Sequence, residues 1–176
     1  MDDYHRHLAP EFEESGAVKT SFENWWPQAI AEFPNVPEGV ARYWLHEHWG
    51  GSTYGWLPSR QYRFALTNSK SDQLHWIRSR WCNFAQDNAE CLNHGKYLVD
   101  LGRRTARYML DKHDFPAPPI VLDNRDDHLP ERQKLPAGFL LIEGHRRFNI
   151  SLYLQWMGQF VETTQIWLME RVISQN

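Results

Sequence analysis

An α+β fold, with a helical N-terminal half packed on a small mixed β-sheet, is the class this sequence predicts. Three observations point to it. Apolar and aromatic residues recur at helical spacing through the first half, beginning with Phe22, Trp25, Trp26, Ala29, Ile30 and Phe33. Short apolar runs of strand length, Ile120-Val121-Leu122 and Phe139-Leu140-Leu141-Ile142, come only in the second half. With 176 residues the chain is long enough to bury a substantial core, and it lacks the low hydrophobicity and high charge of a disordered segment.

The elements follow in order. Residues 1–20 are polar, acidic and aperiodic, and read as a mobile arm. Ser21 is placed to cap a helix that runs to Phe33, where Pro34 stops it. Pro27 admits a later start at Trp26, with the proline as first helical residue. Pro37 and Glu38 open a second helix, with Val40, Tyr43 and Trp44 on one face, which ends at Trp49-Gly50-Gly51. His46 and His48 would share a face on a strand but diverge on a helix, so no metal site is expected there. After a loop over 50–60, Ser71 and Asp72 look like the cap of a helix reaching residue 88, carrying Leu74, Ile77, Trp81 and Phe84. Around it Arg60, Arg63, Lys70, Arg78 and Arg80 interleave with Tyr62, Phe64 and Trp76. That mixture suits stacking on single-stranded bases, though a plain solvated face would read the same way.

Residues 21–91 thus form a helical, aromatic-rich region, and an α+β region is expected over 92–176. It opens with a helix over 92–113 bearing Arg103, Arg104 and Arg107. A strand at 120–122 delivers Asp123, Asn124 and Arg125 to its C-terminal end, where ligand crevices commonly lie. Asp126-Asp127-His128 reads as a solvated turn rather than a cation site. The strand at 139–142 leads to a helix over 145–157 stopped by Gly158, and a last strand falls within 160–172.

The chemistry concentrates where the strand at 139–142 turns into the next helix, at Glu143-Gly144-His145-Arg146-Arg147. Gly144 can adopt backbone angles closed to other residues and lets a ligand approach the main chain. His145, Arg146 and Arg147 fall in the first turn, where the positive end of the helix dipole disfavours cations, with only Glu143 near to offset them. A bound phosphate or carboxylate, held by backbone N–H groups and two guanidinium forks, would resolve the conflict. A tight turn whose arginines face solvent or pair with acids elsewhere is the plain alternative. Asp123, Asn124 and Arg125 are expected to face this loop as part of its pocket.

This acid-Gly-x-His/Arg-Arg pattern resembles the nucleotide-phosphate motif of the ParB/sulfiredoxin-like superfamily. The order of elements around it is similar too: a helix ending near His113, a turn marked by Pro116, Pro118 and Pro119, a strand, the motif, a helix and a strand. The resemblance covers about half the chain, from Leu92 onward. It implies a standalone ParB-like domain that binds a nucleotide such as ATP or CTP, or single-stranded nucleic acid, with Gly144, His145, Arg146 and Arg147 on the phosphates. Nucleotide hydrolase or nuclease activity would make Glu143, orienting water or binding Mg2+, and His145, as acid or phosphate donor, the catalytic residues. The segment 58–63 is similar in composition to an early pocket loop of the family. Sulfiredoxin chemistry is not implied, because Gly144 stands where that branch has its reactive cysteine. Nothing after Val172 resembles the helix-turn-helix and dimerisation region of partition-type members, so their clamp role is not expected.

Composition narrows the partners. A formal charge of −3 gives no global basic field, which disfavours a protein held on duplex DNA mainly by electrostatics. Cys82 and Cys91 are too few for a disulfide framework or a zinc site, and reduced thiols in a cytoplasm are the expected state. Neither a signal peptide nor an apolar run of spanning length is present, so a soluble protein with no membrane partner is expected. Nine tryptophans in a chain that is 14% aromatic are expected mostly in the core. In a noncatalytic reading, the aromatic-rich helical half captures a protein partner while the arginines read an acidic patch.

Overall fold

Capping and a short aromatic stripe set the first helix, α1 (Phe22–Glu32). Ser21 stands before it in extended conformation, its side-chain oxygen accepting the Asn24 N–H at 3.4 Å. Pro27 lies inside the helix, so the later start at Trp26 is overturned. The proline forfeits one backbone bond, and burial of Phe22, Trp25 and Ala29 on a single face holds the helix through it. The computed structural model describes residues 6–49, 52, 54–55, 57–78, 104–129 and 135–172. The chain divides into two units, residues 1–64 with 170–176 and residues 65–169.

In the first unit α2 (Glu38–Val40) continues as a wider, π-helical turn over Ala41–His46, burying Ala41, Trp44, Leu45 and His46. The Trp25 ring lies 5.1 Å from His46 and 5.9 Å from Trp49, centroid to centroid. Tryptophan here is core, as composition suggested. Residues 6–20 are not the expected arm: Leu8 is buried, its carbonyl accepts the Trp25 indole N–H at 2.7 Å, and Phe12 pairs with Val18 in an antiparallel bridge. The indole needs an acceptor once buried, and the preceding chain supplies it. Two of the cations that interleave with aromatic residues in the sequence pair internally, Arg60 with Glu32 and Arg63 with Glu170, each at 3.0 Å.

The second unit is built on a four-stranded mixed sheet, in the order β1 (Tyr62–Lys70), β4 (Thr163–Arg171), β2 (Ile120–Asn124), β3 (Gly138–Glu143). β2 runs antiparallel to β3 and parallel to β4. Backbone bonds at the two ends of the outer pair, Ser71 N–H to Glu162 O at 2.9 Å and Val172 N–H to Gln61 O at 2.7 Å, make β1 antiparallel to β4. The division between units falls after Phe64, within β1, rather than at 91/92.

Two helices, α3 (Arg104–Lys112) and α4 (His145–Trp156), cover one face of the sheet. Ala106, Met109, Phe148 and Leu154 pack there with Val121, Leu141 and Ile166. The helix expected from Ser71 to residue 88 is a 3-10 helix over Ser71–Trp76 that ends at an extended Ile77. Arg78 then joins the edge of β3, donating to Phe139 O at 2.8 Å and accepting from Leu141 N–H at 2.7 Å. Satisfying an open strand edge outweighs continuing a helix there. Residues 79–103, with Arg80, Trp81, Cys82, Phe84, Cys91 and Arg103, lie outside the described residues, as does the first part of the helix expected over 92–113. No helix among the described residues is long and apolar enough to cross a membrane.

Candidate anion-binding loop

β3 and α4 meet at Gly144, which serves as the helix N-cap with φ +96° and ψ 21°. A Cβ there would lie 3.0 Å from Pro119 Cβ and 3.0 Å from Arg147 Nη2. Conformation and space both call for glycine. Phe148 N–H donates to Gly144 O at 2.8 Å, opening the helical ladder. The first turn holds His145, Arg146 and Arg147 and no acid, and no side chain caps it.

The two arginines have different fates. Arg147 Nη2 pairs with Glu143 Oε2, and the two side chains are only 11% and 13% exposed. Arg146 is exposed and has no carboxylate partner among the described residues. His145 is half-buried beside them. Of the two expected guanidinium forks, one therefore faces solvent and the other is held by the protein's own carboxylate. Glu143 answers part of the charge conflict that the sequence posed. Glu143 ends β3 and Arg147 is the third residue of α4, so the turn at Gly144 brings the pair together.

Asp123, Asn124 and Arg125 do not face the loop. Register sets Asn124 opposite Gly138 and Ile120 opposite Glu143, so the 123–125 segment lies at the far end of β3. Four residues of strand separate the two ends, roughly 13 Å. The residue that approaches Gly144 is instead Pro119, ahead of β2. The three displaced residues serve each other and their turn. Arg125 clasps Asp123 in a bidentate pair, Nε to Oδ1 at 2.9 Å and Nη2 to Oδ2 at 2.6 Å. Those hydrogen bonds hold the Asp123 carboxyl below its ordinary pKa. Arg125 also sits over the Phe139 ring at 4.8 Å, and buried Asn124 donates to Pro136 O at 3.1 Å.

Metal-ligand chemistry is not assembled by the described residues, which contain no group of three or more His, Cys, Asp or Glu side chains suited to one ion. His46 is instead a buried ring whose Nε2 lies 2.9 Å from Thr20 O, and burial lowers its pKa.

One feature of the second unit escaped the sequence reading. A largely apolar recess of about 190 Å³ opens on the sheet, with Trp76 and Phe139 among its lining residues. Part of its wall comes from β1, whose strand character is hidden by polar residues at both faces.

No family model matches the chain, and no curated protein or solved structure matches it either.

Proposed function

We propose that the protein binds a nucleotide, or the phosphates of single-stranded nucleic acid, at the 143–147 loop, in the manner of a ParB-like domain. The glycine-capped start of α4 supports this reading: three basic residues in a turn with no acid, one of them exposed, where the helix dipole favours an anion. Glu143 then holds the place of the anion. A phosphate meets Arg146 and the helix start first, and takes Arg147 by displacing Glu143. Once released, Glu143 is the carboxylate able to orient water or to share Mg2+ with the phosphates, since this ion commonly takes one or two carboxylates plus substrate oxygens. His145 adds a donor beside them.

Calorimetric titration with ATP, CTP and a single-stranded oligonucleotide, with and without Mg2+, tests the reading. At least one should bind the wild type, and Arg146→Ala should weaken it about tenfold, 1.4 kcal/mol, with an unchanged melting curve. Failure of all three to bind refutes it. Phosphate release that needs Mg2+ and disappears in Glu143→Gln would make the protein a hydrolase, whereas binding alone makes it a binding domain. The alternative of a protein-interaction module built on the aromatic half has less support, because Trp25, Trp44 and Trp49 are 4%, 1% and 9% exposed and consumed by their own core.

A further inference from the structure

The recess in the second unit lies apart from the 143–147 loop, since Phe139, in its wall, is at the opposite end of β3 from Glu143. Half-buried Leu168 gives it apolar surface over a floor of buried Val121 and Ile166. Trp76, 60% exposed, and Phe139 give it aromatic rings. Its volume of about 190 Å³ exceeds the ~150 Å³ in which a buried cavity takes up benzene, so a ring system fits where a whole nucleotide does not. No charged side chain lines it among the described residues, so a charged group entering would lose water and gain no counter-ion from them.

The polar part of the wall is neutral and comes from Thr67, Asn68, Ser69 and Gln73. Its hydrogen-bonding sense is partly fixed. The Thr67 hydroxyl donates to Ala65 O at 3.4 Å and the Ser69 hydroxyl to Lys70 O at 3.3 Å, which leaves both oxygens as acceptors. Gln73 Oε1 accepts Lys70 N–H at 3.2 Å, which leaves its amide nitrogen as the donor. Flat apolar faces combined with a mixed donor and acceptor edge describe one class of ligand. We propose that this recess binds an uncharged, planar heteroaromatic ring of the nucleobase type, stacked against Trp76. Exposed Lys70 and Arg78 directly follow the lining residues Ser69 and Ile77 and supply cations for a phosphate attached to such a ring. The inference shares its ligand class with the loop reading but stands on the recess alone.

Nucleosides, which carry no phosphate, separate the two. The four ribonucleosides, a thymidine oligonucleotide and pyrophosphate are titrated separately into wild type, Trp76→Ala, Gln73→Leu and Arg146→Ala, followed by the methyl resonances of Thr67, Val121, Ile166 and Leu168. At least one nucleoside should saturate the wild type and shift these methyls, with affinity about tenfold weaker in Trp76→Ala, weaker in Gln73→Leu and unchanged in Arg146→Ala. A stronger response to the oligonucleotide than to any nucleoside identifies nucleic acid as the source of the ring. Absence of nucleoside saturation, equal binding by Trp76→Ala, or uptake of benzene without any nucleoside overturns the proposal. If Trp76→Ala melts early, Gln73→Leu and the wild-type methyl shifts decide. Nucleoside shifts at these methyls, with calorimetric binding of ATP, CTP and pyrophosphate absent or unaffected by Arg146→Ala, leave the recess standing and remove the loop.

Discussion

The two units handle positive charge in different ways. In the first, Arg42 is held by Glu23 and Glu38, Arg60 by Glu32, Arg63 by Glu170 and Lys19 by Glu11. Arg171 is its exposed exception. In the second, Arg78, Arg104 and Arg146 are exposed without a carboxylate partner among the described residues, while Arg147 is nearly buried on Glu143. Charge in the first unit ties the surface of an aromatic core together. In the second, Arg125 and Lys112 are likewise paired, with Asp123 and Asp111, but Arg146 at the start of α4 and Arg78 next to the recess wall are left toward solvent, which is why the functional reading belongs there.

The largest effect should come from the aromatic core. Trp25→Ala removes a 4% exposed ring and its bond to Leu8, and should destabilise the first unit by about 3–5 kcal/mol, read by denaturant unfolding. A loss under 1 kcal/mol would mean that the rings do not carry this unit. Next comes Gly144→Ala, which forces a side chain into left-handed backbone against Pro119 and should cost about 1–3 kcal/mol. An unchanged melting temperature would show that the turn does not require glycine.

Acid should separate the units. Burial depresses the His46 pKa below 6.5, so the unfolded chain takes up its proton first and the stability conferred by the neutral ring is lost as pH falls below about 6.5. Arg125 lowers the Asp123 pKa, so that clasp is fully effective above 3.8 and is lost only as pH falls through its lowered value. Amide protection factors should therefore fall around His46 between neutrality and pH 5 while the 123–125 turn stays protected. The reverse order would contradict both assignments. The smallest effect is expected from Arg60→Ala, whose exposed pair with Glu32 should contribute less than about 1 kcal/mol.

Much of this was legible because burial writes itself into sequence. Ile120 to Leu122 and Phe139 to Ile142 are strands packed on both faces, and their unbroken apolar runs announce them. α4 is legible at its ends, where Gly144 marks its start and Gly158 follows its last turn. β1 was not legible because an outer strand exposed over Ala65 and Leu66 shows neither an apolar run nor alternation. The spacing of Leu74 and Ile77 fits a 3-10 turn as well as an α-helix. The misplacement of Asp123, Asn124 and Arg125 has another cause. Periodicity gives a strand's extent but not its direction relative to a neighbour, and an antiparallel pairing sent these residues away from Gly144.

The most direct measurement is the triphosphate affinity of Glu143→Gln beside wild type and Arg146→Ala, at a temperature where all three are folded. If Glu143 occupies the place of the anion, neutralising it frees Arg147, and affinity should rank Glu143→Gln above wild type above Arg146→Ala, the spread narrowing as salt rises. A Glu143→Gln protein that binds more weakly than wild type, or an Arg146→Ala protein that binds equally well, would contradict the account.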